Sequence, residues 1–134
     1  MTRKVRLVRR IRVVVIEDNE VFRDALELLL GLREDVEVVS ALGDGSRAVD
    51  VCRAARPDVL LIDYRLPGLD GIQITSAVHE ACPDVAIVCL TASVTPREIE
   101  ALRDAGAVDC VMKHDSLDEI VAAILGAPER AEQG

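Results

Sequence analysis

Five times along this chain a short run of β-branched and aliphatic residues gives way to a stretch with apolar residues at helical spacing, and that alternation constrains the fold more than any other feature. Ile11 to Ile16 is the first such run, and Val21 to Leu32 then places Phe22, Leu26, Leu29 and Leu30 on one helical face. Val36 to Leu42 reads as a second strand, and Ser46 to Ala55, with Ala48, Val49, Cys52 and Ala55 on one side, as a second helix. Val59 to Ile62 is continuously apolar, as a strand buried on both faces must be. The Pro- and Gly-rich loop from Leu66 to Gly71 leads into a third helix, Ile72 to Ala81, stopped before Pro83. Ala86 to Leu90 is a fourth strand, and Pro96 to Ala105 a helix with proline in its first turn and Gly106 after its end. Cys110 to Met112 is a short fifth strand. Ser116, with Glu119 three residues on, forms a capping box that opens a last helix with Leu117, Ile120, Val121, Ile124 and Leu125 inward.

Such alternation requires parallel pairing, right-handed crossovers and helices on both faces of the sheet. The expected fold is a doubly wound α/β domain of five parallel strands in the order 2-1-3-4-5, with five helices, over residues 11–125. A basic arm, residues 1–10, precedes it and a polar tail, residues 126–134, follows. The longest apolar run, Val85 to Leu90, falls far short of the roughly 18 residues of a membrane helix. The basic start is unlike a signal peptide because the apolar stretch after it ends at once in Glu17-Asp18. A cytoplasmic setting follows.

One Phe, one Tyr and no Trp leave the core to Val, Leu, Ile and Ala, and they disfavour ligand sites built on aromatic stacking, flavins and single-stranded nucleic acid included. The net charge is −8, yet Arg3, Lys4, Arg6, Arg9, Arg10 and Arg12 all lie in the first twelve positions, leaving 10 basic against 24 acidic residues in the remainder. A globule that acidic repels phosphate backbones, which argues against direct DNA or RNA binding. Cys52, Cys82, Cys89 and Cys110 form no C-x-x-C pair, so structural zinc is excluded and reduced, mostly buried cysteines are expected. His79 and His114 read as ordinary surface or helix-end residues.

In a doubly wound sheet, ligands bind beyond the carboxyl ends of the strands, at the point where strand order reverses. Those ends carry Glu17 and Asp18 after the first strand, Asp63 at the third, Thr91 at the fourth and Lys113 at the fifth. Three carboxylates on one rim repel unless a cation lies between them, and hard oxygen ligands suit Mg²⁺. Lys113 and Thr91 supply a fixed positive charge and a hydroxyl for the other side of a phosphoryl group. Asp63, between metal and ammonium, is placed as a nucleophile toward phosphorus. Polar residues favour strand ends in any protein, which explains each of these alone but not all five together.

From Ile11 to Leu125 the chain resembles the receiver domain of two-component response regulators. Val15-Ile16-Glu17-Asp18 is similar to the family's acidic pair, and Asp63-Tyr64-Arg65-Leu66-Pro67-Gly68-Leu69-Asp70-Gly71 to its phosphoacceptor segment. Leu90-Thr91-Ala92 resembles the switch-threonine segment, Ala105-Gly106-Ala107 the turn before the fifth strand, and Val111-Met112-Lys113 the lysine segment. The resemblance implies that Asp63 accepts a phosphoryl group from a histidine kinase and that Mg²⁺, or Mn²⁺, is held by Asp18, Asp63 and the Arg65 backbone carbonyl, with Glu17 acting through water. It further implies that Lys113, Thr91 and Ala92 bind the phosphoryl group, that Arg65 and Ser93 tune its lifetime, and that the domain itself is a signalling phosphoacceptor rather than an enzyme.

Two positions depart from the family pattern. Cys110 stands where a switch aromatic is usual, three residues before the lysine, and His114 replaces the proline after it. The Lys113-His114-Asp115 segment looks closer to regulators of the NarL type, which commonly lack that proline, carry a helix-turn-helix DNA-binding domain downstream and control transcription. A homodimer through the fourth-helix, fifth-strand and fifth-helix face is a further implied partner. Three other readings compete. A receiver-fold module that binds partners without phosphate is favoured by Cys110 and opposed by the intact quintet. A haloacid-dehalogenase-type phosphatase would need an acid where Arg65 stands, and a flavodoxin-like cofactor binder would need a phosphate loop where Glu17 to Glu20 is acidic.

Overall fold

The structure is a computed structural model that describes residues 9–65 and 70–133. Strands β1 (Ile11–Ile16), β2 (Val36–Leu42), β3 (Val59–Asp63), β4 (Ala86–Thr91) and β5 (Ala107–Met112) form one parallel sheet in the order β2-β1-β3-β4-β5. Helices α1 (Glu20–Gly31), α2 (Ala48–Ala55), α3 (Gly71–Ala81), α4 (Pro96–Ala105) and α5 (Leu117–Gln133) connect or follow them. The doubly wound topology is the one that the alternation demanded.

Residue parity decides which layer each strand residue enters. Val13, Val15, Val59, Leu61, Val88 and Leu90 pack with Leu26 and Leu30 of α1 and Ile120, Val121 and Ile124 of α5. Val14, Ile16, Leu60, Ile62, Ile87 and Cys89 pack on the opposite face with Ala48 and Cys52 of α2, Val78 of α3 and Leu102 of α4. All these strand residues are at most 1% exposed, so each contributes about 1.5–3 kcal/mol of burial, and the sheet needs no aromatic filling.

Local chemistry sets the element ends. The Asn19 side chain accepts the Phe22 amide at 2.9 Å and starts α1, while Thr95 and Glu98 exchange backbone bonds as a capping box on α4. Gly106 sits at φ 120°, and a Cβ there would meet the His79 ring. Three boundaries differ from the sequence reading. The second helix begins at Ala48 rather than Ser46, because the Asp44 carboxylate caps Ser46 and tightens Gly45–Arg47 into a 3₁₀ turn. The fifth strand begins at Ala107, since Asp109, which broke the apolar run, is satisfied by Arg130 at 2.5 Å.

The third correction concerns the tail placed after Leu125. Residues 126–133 continue α5 as helix, although Pro128 lies inside it and removes the amide that would bond the Ile124 carbonyl. The buried Ala127, the packed Ala131 and the Arg130–Asp109 ion pair offset that cost. Of the basic arm, Arg9 and Arg10 are described and both are anchored, Arg9 to Asp58 at 2.7 Å and Arg10 to the Val36 carbonyl at 3.0 Å. No cis peptide occurs among the described residues. No helix among them is long and apolar enough to cross a membrane.

Candidate functional site

The carboxyl ends of β1, β3, β4 and β5 bring Glu17, Asp18, Asp63, Thr91 and Lys113 to one rim. Glu17 is fully buried, fixed by its amide bond to the Leu42 carbonyl, with Oε2 accepting the Asn19 amide at 3.0 Å. Its carbonyl accepts Nη1 of Arg23 at 2.8 Å. The Lys113 ammonium bridges Glu17 Oε1 at 2.5 Å and Asp63 Oδ2 at 2.9 Å, while Asp63 Oδ1 accepts the Arg65 amide at 2.8 Å. Lys113 is also aimed by its own amide, which bonds the Thr91 carbonyl at 2.8 Å, and its ammonium lies 5.2 Å from the centre of the Phe22 ring.

The electrostatics of this rim favour a cation. One carboxylate oxygen from each of Glu17, Asp18 and Asp63 lies within 4.8 Å of the other two. Burial pushes the Glu17 carboxyl up to about 7, with nearby Asp63 adding to the rise and Lys113 and the Asn19 amide opposing it. Burial draws the Lys113 ammonium down, but its bonds to Glu17 and Asp63 outweigh this and leave it raised. Glu17 Oε1 is met by the Lys113 ammonium and has no further hydrogen-bond partner among the described residues. Three clustered oxygen donors, one of them buried with only the ammonium as partner, fit a hard divalent cation such as Mg²⁺.

Thr91 is buried, and its hydroxyl donates to the Ser93 carbonyl at 2.8 Å and accepts the Ser93 amide at 3.3 Å, so it is turned into its own loop. Ala92 and Ser93 are exposed beside it. The Arg65 guanidinium, expected to tune the phosphoryl lifetime, pairs with Glu98 at 3.2 Å and lies 5.3 Å from the Tyr64 ring centre. Cys110 is half-buried opposite Cys89 in the β4–β5 register. Leu66 to Leu69 of the phosphoacceptor segment lie outside the described residues. Of the cysteines, Cys52 and Cys89 are buried and Cys82 and Cys110 are half-buried, so the expectation of mostly buried thiols holds for two of the four.

Sequence reasoning placed Phe22 on a helical face and Tyr64 in the phosphoacceptor segment without assigning either to the pocket, and it did not single out Arg23 or Glu98. Glu98 carried a signal, since Thr95-x-x-Glu98 is a capping box; Arg23, which holds the Glu17 carbonyl from the first turn of α1, carried none.

A doubly wound sheet with three acids, a threonine and a lysine on its carboxyl rim defines a class of acidic-pocket α/β folds, and comparison narrows it to one family. The family model for the response regulator receiver domain matches residues 13–125, and the chain belongs to that family. It is 34% identical over 116 residues to the probable transcriptional regulatory protein NarL of Mycobacterium tuberculosis, covering 87% of this chain and 54% of that protein. It is 33% identical over 117 residues to the transcriptional regulatory protein LiaR of Bacillus subtilis, covering 87% and 56% respectively. The solved signal receiver domain of the Mycobacterium tuberculosis response regulator NarL superimposes with a TM-score of 0.84 at 33% identity, over 90% of this chain and 98% of that one. The chain thus spans about half the length of the curated relatives it matches, and it is a NarL-type receiver domain of a two-component response regulator.

Proposed function

We propose that Asp63 accepts a phosphoryl group from a phosphohistidine of a sensor histidine kinase, and that the resulting aspartyl phosphate switches a protein-interaction face. The observation that carries this reading is the placement of Asp63, buried at the end of β3, paired with the Lys113 ammonium at 2.9 Å, one of its carboxylate oxygens within 4.8 Å of oxygens of Glu17 and Asp18. A carboxylate oxygen of Asp63 forms the new bond to phosphorus while the phosphorus–nitrogen bond breaks, its electron pair returning to the imidazole. Asp18, Asp63 and the Arg65 carbonyl would hold Mg²⁺ (or Mn²⁺), with Glu17 behind water. When bound, the ion neutralises charge on the transferring group.

On the other side of phosphorus, Lys113 keeps a positive charge within reach of Asp63, so transfer exchanges one anion at the ammonium for another. Thr91 gives up its bond to Ser93 and turns its hydroxyl toward the phosphoryl oxygens, while the Ala92 amide supplies a further donor. Arg65 and Ser93 flank the approach of hydrolytic water and set the lifetime. The output is transcriptional, by likeness to regulators named NarL and LiaR, through a DNA-binding domain outside this chain. Dimerisation uses the α4–β5–α5 face, and the setting is cytoplasmic.

Intact mass after incubation with acetyl phosphate and Mg²⁺ tests the reading. The wild type should gain one phosphate and Asp63→Ala none; equal labelling of both would refute it.

A further inference from the structure

Glu98 lies on α4, outside the phosphoacceptor pocket, yet three groups converge on its carboxylate through four contacts. Oε2 accepts the Tyr64 hydroxyl at 2.6 Å and Nη2 of Arg65 at 3.2 Å, while Oε1 accepts the Thr95 amide at 3.0 Å and the same Arg65 nitrogen at 3.5 Å. Tyr64 and Arg65 directly follow Asp63 in the chain. Tyr64 is itself held on three sides: its amide bonds the Leu90 carbonyl at 2.9 Å, its carbonyl lies so close to Gly71 that a Cβ there would fall 2.2 Å from it, and Arg65 covers its ring.

A closed circuit results. Asp63 leads through Tyr64 to Glu98, Glu98 to the α4 cap at Thr95, and the short loop from Ala92 back to Thr91, whose hydroxyl is bound to Ser93. Turning Thr91 toward Asp63 pulls on that loop, and through it on the helix end that Glu98 pins to Tyr64.

We infer that Tyr64, Arg65 and Glu98 form a latch that holds the N-terminus of α4 in the resting arrangement and must open, or lengthen, when Thr91 engages the phosphoryl group. This rests on the phosphoacceptor reading above and names a regulatory device of the same site. Tyr64 and Glu98 are positioning residues acting through α4. The hydrogen bond holds the Glu98 carboxyl below its usual range and the Tyr64 phenol above its own, as a closed phenol–carboxylate contact requires. The chain's one tyrosine stands just after β3, against Glu98 of α4.

The chain has one Tyr and no Trp, so its intrinsic fluorescence reports Tyr64 directly. A phenol bonded to a carboxylate is quenched. Titration of the full chain with beryllofluoride and Mg²⁺, read by Tyr64 emission and by the amide resonance of Lys113, separates latch from pocket. The wild type should show Tyr64 emission rising as the Lys113 amide shifts. Tyr64→Phe should bind beryllofluoride about three- to tenfold more tightly, the range that one net hydrogen bond supplies, with its affinity for Mg²⁺ alone unchanged. Glu98→Gln, which keeps an acceptor for Thr95 but loses the charge that attracts Arg65, should lie between the two. Unchanged or weaker beryllofluoride affinity in Tyr64→Phe, or constant Tyr64 emission while Lys113 shifts fully, would overturn the latch. A wild type whose Lys113 amide never responds would overturn the phosphoacceptor reading itself, and the latch with it.

Discussion

Lys113 Nζ and Glu17 Oε1 lie 2.5 Å apart although the Glu17 side chain is fully buried, so the ammonium is what lets a carboxylate occupy that position. Removing it leaves Glu17 facing Asp63 without compensation. Breaking a fully buried ion pair costs about 3–5 kcal/mol, and because Lys113 is 23% exposed the expected loss is smaller, about 2 kcal/mol. Urea unfolding of Lys113→Ala at neutral pH should show that loss, with part of it recovered in Mg²⁺. A variant as stable as the wild type without Mg²⁺ would contradict the coupling.

Lifetime is expected to depend on Arg65. Its guanidinium is tied to Glu98 at 3.2 Å and is free to cover the phosphoryl group only after that bond yields. Arg65→Ala should change the dephosphorylation rate by more than about twofold, roughly 0.4 kcal/mol on the barrier; Ser93, small and exposed, is proposed to act on the same path. Phosphate release followed over time checks this, and a rate within twofold of wild type would remove Arg65 from the lifetime account.

Cys110 packs half-buried against the α2–α3–α4 layer and has no ring to turn inward when Thr91 moves. Switching should therefore run through Thr91 and the loop and helix from Ala92 to Ala105. In amide NMR with beryllofluoride the wild type should show a mixture of states at residues 110–113, and Cys110→Tyr a fuller shift. Complete shifts in both proteins would show that the cysteine transmits the signal as well as an aromatic.

The thiols divide by burial. Desolvation pushes Cys52 and Cys89 up to about 12, so both stay protonated and unreactive near pH 8, and it raises Cys110 as well. Alkylation of the native protein by iodoacetamide at pH 8 should modify the half-buried Cys82 first and spare Cys52 and Cys89, with labelling of the buried pair rising only as pH climbs toward their range. Early modification of Cys89 in the folded protein would contradict that burial.

The quintet was legible because each member sits at the end of a strand whose apolar run announces it, and the reversal of strand order tells where to look. Glu17, Asp63 and Lys113 meet as those strand ends predicted. What stayed hidden depends on side-chain direction across elements. Nothing in the spacing of Tyr64, Arg65 and Glu98 says that residues 33 and 34 positions apart share one carboxylate. Pro128 and the polar tail residues similarly concealed the end of α5, because local propensity argues for a stop while Ala127 finds a fully buried seat.

Borohydride trapping reads the proposed phosphoacceptor role of Asp63 residue by residue, since reduction of an aspartyl phosphate leaves homoserine at the modified position. Peptide mass mapping after acetyl phosphate, Mg²⁺ and borohydride should find homoserine at position 63 and at no other acid, Asp18 and Glu17 included. Unmodified Asp63 alongside conversion of another carboxylate, or no conversion anywhere, would contradict the account.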